Sequence, residues 1–65
     1  MINEVKFEDL DGDFVVLWTM GGALYCEECY IDTNIPDEKI AFFCDGTPVE
    51  DDLTTWQDVR FFVAV

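Results

Sequence analysis

Apolar and polar positions along this chain fall into short runs punctuated by glycine, proline and aspartate, a spacing that predicts strands. The longest run, Phe14-Val15-Val16-Leu17-Trp18-Thr19-Met20, is rich in β-branched and aromatic residues and is bounded by glycines. Both of its alternating sets of positions are apolar, which predicts a strand in the middle of a sheet, covered on both faces. Ahead of it, Val5 and Phe7 alternate with Glu4, Lys6 and Glu8, the pattern of a strand with one wet face. Asp11-Gly12 suits the positive φ of a hairpin turn between these two strands. Gly21-Gly22 predicts a second tight turn, with Leu24–Ile31 returning antiparallel. That return segment also has a helical reading, with Tyr25, Cys26, Cys29 and Tyr30 on one side; the Gly-Gly turn and the tyrosines favour the strand.

Beyond it, Thr33–Glu38 is a loop broken by Pro36, and Lys39–Cys44 is another apolar run with both faces covered. Asp45-Gly46-Thr47-Pro48 makes a turn into a short edge piece at Val49-Glu50. Asp51 or Asp52 is placed to cap one or two helical turns through Leu53–Gln57. Arg60–Val65 closes the chain as a final strand. The expected fold is α+β: a small, meander-like antiparallel sheet of about four to five strands with one or two short helices.

Size and composition narrow this further. Sixty-five residues make one domain, residues 1–65, of marginal size for a single core. A hydrophobic fraction of 51% supplies a core and excludes disorder. Charge is the outlier: fifteen Asp and Glu against three Lys and Arg, with no His, give −12. Solubility asks for a magnitude of only about 2–8 in a small domain, and the excess destabilises by self-repulsion. Nucleic acid and anionic membranes are poor partners for such a surface, and a strongly basic protein is the natural one. The opening Met1–Glu4 has no basic region leading into a signal-length apolar stretch, and Phe14–Met20 is too short to span a bilayer. An odd number of cysteines points to free thiols in a reducing cytoplasm.

Candidate chemistry is sparse. Cys26-Glu27-Glu28-Cys29 is a C-x-x-C, with Cys44 fifteen residues further on. Structural zinc wants four ligands, and there is no fourth Cys and no His, so Asp45 or another carboxylate would have to serve. Redox chemistry needs a lowered thiol pKa, which Glu27 and Glu28 oppose. The favoured reading is three small, mostly buried hydrophobes, with no metal and no cofactor. Asp9-Leu10-Asp11-Gly12-Asp13 resembles the front of a calcium loop, but Phe14 and Met20 stand where the loop needs Gly and Glu. Without histidine the commonest general base is missing, and no Gly-rich phosphate loop is present. No enzyme activity is expected.

What remains is carboxylate in rows: Glu8–Asp13, Glu27-Glu28-Asp32, Asp37-Glu38 and Asp45 with Glu50–Asp52. Alternate residues of a strand lie about 6.8 Å apart on one side, from a rise of ~3.4 Å each. Duplex DNA carries a charge every ~1.7 Å of axis, divided between two strands. Separate acidic rows on a rigid domain therefore approximate a phosphate track. In size, acidity and lack of His and signal peptide, the whole chain resembles the small acidic DNA mimics of phages and mobile elements. That class includes uracil-DNA glycosylase inhibitors, anti-restriction proteins and anti-CRISPR proteins. The resemblance implies a stoichiometric inhibitor that blocks the basic DNA-binding groove of a host protein, such as a CRISPR effector complex, in the bacterial cytoplasm. The cysteines lie outside what the class predicts. The expected contact set is Asp9, Asp11, Asp13, Glu27, Glu28, Asp32, Asp37, Glu38, Glu50, Asp51 and Asp52. The alternative is an interaction adaptor, zinc-stabilised or plain, that binds a basic partner without imitating DNA.

Overall fold

In the computed structural model, which describes residues 1–32 and 40–64, five strands form one antiparallel sheet. They are β1 (Ile2–Val5), β2 (Gly12–Met20), β3 (Ala23–Asp32), β4 (Ile40–Phe43) and β5 (Arg60–Ala64). Their order across the sheet is β1-β5-β2-β3-β4, so β2 is the middle strand that its apolar run predicts. Gly21 and Gly22 have φ of +59° and +83°, both positive as a tight hairpin of matching twist requires. Met20 therefore pairs with Ala23, and the register runs back to Gly12 opposite Ile31. The return segment is a strand, not a helix.

The first predicted turn needs correction. The alternation through Phe7 does not continue β1; residues Phe7–Asp9 form a 3-10 turn that brings the Phe7 ring 5.5 Å from Phe61. Nor does Asp11-Gly12 close a hairpin. β5 lies between β1 and β2, with Phe61 opposite both Val5 and Val16. The meander is thus confined to β2-β3-β4.

The α+β expectation is also overturned. Among the described residues there is no α-helix, and the fold is an all-β sheet with two three-residue 3-10 turns, Phe7–Asp9 and Leu53–Thr55. Asp52 does cap the second, accepting the Thr54 backbone N–H at 3.0 Å. Thr54 and Thr55 are β-branched and extend a helix poorly. Trp56 is already back in extended geometry (φ −69°, ψ 143°), and its ring packs 4.5 Å from that of Trp18. The expected edge piece at Val49-Glu50 reduces to one bridge, Phe42 with Pro48, and a bond from Val49 N–H to Ala41 carbonyl of 2.9 Å. β4 occupies Ile40–Phe43 of the predicted Lys39–Cys44 run, and Cys44 sits in the turn after it. The predicted Thr33–Glu38 loop lies outside the described residues.

The core lies on one face of the sheet, here the inner face. Phe14 and Val16 of β2, Cys29 and Ile31 of β3, Ala41 of β4 and Phe61 of β5 are buried there, with Leu10 and Leu53 packed over them from the connections. Val49, Trp56 and Val59 send their side chains to the same cluster. On the outer face Val15, Leu17, Tyr30, Phe42 and Phe62 are only half-buried, and Ile2 is 72% exposed. β2 is therefore covered on one face, not on both. The described connecting segments send their apolar residues inward, so among the described residues no second layer covers the apolar side chains of the far side.

Candidate functional site

Residues directly opposite in an antiparallel pair share a face, so the register assigns each acidic candidate to a side. Asp13 faces outward opposite Tyr30, Glu28 outward opposite Val15, and Asp32 outward opposite Ile40. Tyr30 thus stands among three carboxylates, its ring stacked on Phe42 at 5.4 Å. Glu27 is opposite Val16 and belongs to the inner side, on the length of β3 that runs exposed beyond the core. Asp9 ends the first 3-10 turn, and Asp11 is exposed in the link to β2. Glu50, Asp51 and Asp52 line an open hollow of about 290 Å³ with Phe7, Ile40 and Leu53, over the inner face. Asp37 and Glu38 lie outside the described residues.

The structure therefore brings Asp13, Glu28 and Asp32 together on one side and Glu50–Asp52 on the other. It does not unite the set into a single row. Every described carboxylate is exposed except Asp32, which is half-buried.

Of the four carboxylates outside the expected set, three do local work. Glu4 accepts two bonds from Arg60, from Nε at 3.1 Å and from a terminal nitrogen at 2.8 Å. Those hydrogen bonds hold the Glu4 carboxyl below its usual range and push the guanidinium up. The same Arg60 lies over the Phe62 ring at 5.1 Å. Asp45 accepts the Thr47 N–H at 2.8 Å, which closes the turn and lowers its pKa. Asp58 takes the Thr19 hydroxyl at 3.0 Å from a left-handed backbone position, φ +53°. Glu8 sits exposed in the first 3-10 turn. Within the expected set, Asp52 is held low in pKa by the Thr54 hydroxyl at 2.6 Å and by the Thr54 N–H.

The cysteines do not converge. On a strand, residues three apart point to opposite faces, so Cys26 faces outward and is exposed while Cys29 faces the core and is buried. Cys44 is exposed in the turn after β4, so only one of the three is the buried hydrophobe expected of all. Burial first, then the charge of Glu27, pushes the Cys29 thiol up to about 11. Among the described residues no group of three or more Cys, Asp or Glu is placed to hold a metal ion.

Sequence reasoning missed the outer apolar face. An open hollow of about 270 Å³ lined by Ile2, Val15, Leu17, Phe62 and Ala64 adjoins one of about 400 Å³ lined by Asp13, Glu28, Tyr30 and Phe62. Val15, Phe62 and Ala64 border both, making a continuous trough across β1, β5, β2 and β3. The signal was present: Val15 and Leu17 are apolar on the face opposite to Phe14 and Val16. It reads equally as cover by a second layer or as an exposed surface.

Among the described residues no helix is long and apolar enough to cross a membrane. Comparison with protein families, curated proteins and solved structures finds no match.

Proposed function

We propose that this chain acts by stoichiometric binding, without catalysis, and that it inhibits a basic DNA-binding protein of the host cytoplasm by occupying its groove. A CRISPR effector or another defence complex is the target class. The observation that carries this reading is the exposure of its carboxylates on both sides of a thin body. The Cα extents are 36 × 29 × 21 Å. A groove with two basic walls meets both sides of whatever enters it, as it meets both strands of a duplex. The density is also of the right order. Duplex DNA of the same 36 Å length carries about 21 charges, and this chain carries a net −12. Steering by such a field accelerates encounter and weakens as salt rises.

Competition against labelled duplex DNA for a CRISPR effector complex, between about 50 and about 200 mM salt, tests the proposal. Displacement of DNA that weakens over that range is expected. Single Ala changes at the carboxylates should do little. Reversing Asp13, Glu28 and Asp32 together, or Glu50 and Asp51 together, should abolish it. Inhibition indifferent to salt, with DNA still bound, would count decisively against it.

One observation favours a second reading, the adaptor that binds a basic partner without excluding DNA. Phosphate imitation has no use for the apolar trough, whereas protein interfaces are built around such a centre. A ternary complex of partner, DNA and this chain would identify that case.

A further inference from the structure

We infer that the outer-face trough is a protein-docking surface for a partner segment that places apolar side chains at one end and Lys or Arg at the other. The inference rests on the reading of this chain as a binder of basic proteins and names the surface that does the binding. Its two ends differ in chemistry. The end formed by Ile2, Val15, Leu17, Phe62 and Ala64 is apolar. The adjoining end carries Asp13 and Glu28 beside Tyr30, with Asp32 two residues further along the same strand face.

Charge selects the occupant. A second copy would bring its own Asp13, Glu28 and Asp32, and a net −12, toward the same charges. A lipid surface or nucleic acid supplies the wrong sign at the acidic end. A basic protein segment satisfies both ends: its apolar side chains cover Val15, Leu17 and Phe62, and its cation reaches the carboxylates around Tyr30. Cations also stack on aromatic rings, as Arg60 already does on Phe62. Glu4 and Arg60 neutralise each other at the apolar end, so that region offers no strong field to compete.

The probe is a short amphipathic Leu/Lys peptide titrated into the isotope-labelled full chain, with backbone amide shifts as the readout and a Leu/Glu peptide as control. Binding is expected to shift Val15, Leu17, Glu28, Tyr30 and Phe62, and the Leu/Glu peptide is expected not to bind. Val15→Thr with Phe62→Thr keeps strand-forming residues and should weaken the Leu/Lys peptide about tenfold. The amide spectrum of each variant checks that the sheet is intact. Asp13→Lys with Glu28→Lys should weaken the peptide as well, and it changes no buried side chain.

Shifts spread over both faces, or an intact Val15/Phe62 variant that binds as tightly as the parent, would overturn the docking surface. So would concentration-dependent dimerisation that shifts Val15 and Leu17 without peptide. None of these results touches the DNA competition, which is measured separately. Conversely, a chain that binds the peptide in the trough but never displaces DNA leaves this surface standing and removes the groove inhibitor.

Discussion

Cys29 shows how position overrides motif. In sequence it is half of a C-x-x-C; in the sheet it is a core residue opposite Phe14 and Phe43. Its thiol, pushed up to about 11, is almost wholly protonated at neutral pH. Alkylation at pH 8 should therefore label Cys26 and Cys44 quickly and Cys29 at least about tenfold more slowly, read by mass spectrometry of the native protein. The same shift has a sign for stability. The folded chain holds this proton more tightly than the unfolded chain, whose thiol has the ordinary value of 9.0. The contribution is complete below pH 9 and is lost as pH rises from there toward 11. Denaturant midpoints should fall across that window, and Cys29→Ala should remove this part of the fall. The burial of Cys29 and the upward push from Glu27 were legible in the sequence. The exposure of Cys26 was not, because residues three apart share a face on a helix and point to opposite faces on a strand.

At the scale of elements, local chemistry determined what the sequence could reveal. The β2–β3 hairpin was readable because Gly21-Gly22 sits between two apolar runs, and turn and strand signals agree. Gly22 is held at φ +83°, and Gly22→Val should destabilise by about 1–2 kcal/mol from that conformation alone. Urea unfolding measures it. An unchanged midpoint would mean that the turn relaxes to another type. Asp11-Gly12 carries a similar signal and misled, since Gly12 (φ +81°) opens β2 after a crossing and not a hairpin. The insertion of β5 beside β1 joins Ile2 to Ala64. No local pattern encodes a partner at that distance along the chain. The expected short helix stops at a single turn for a related reason: a capping aspartate starts a turn but does not make Thr54 and Thr55 continue it.

For the molecule as a whole, charge sets the terms. Net charge and the exposure of the carboxylates were readable from composition; their division between two faces was not, because it depends on strand register. A body with −12 distributed over so small a surface repels itself. Added salt shortens the reach of that repulsion to about 10 Å at 0.1 M. Raising sodium chloride from low to physiological strength should therefore raise the melting temperature by about 5 °C, measured by circular dichroism. A fall would mean that specific ion pairs outweigh the general repulsion. The strand order has a consequence for biosynthesis as well. β1 leaves the ribosome first of the five strands, yet its partner β5 leaves last. The slot between β1 and β2 has to stay open while β2, β3 and β4 assemble, and the sheet can zip shut only after β5 has been made.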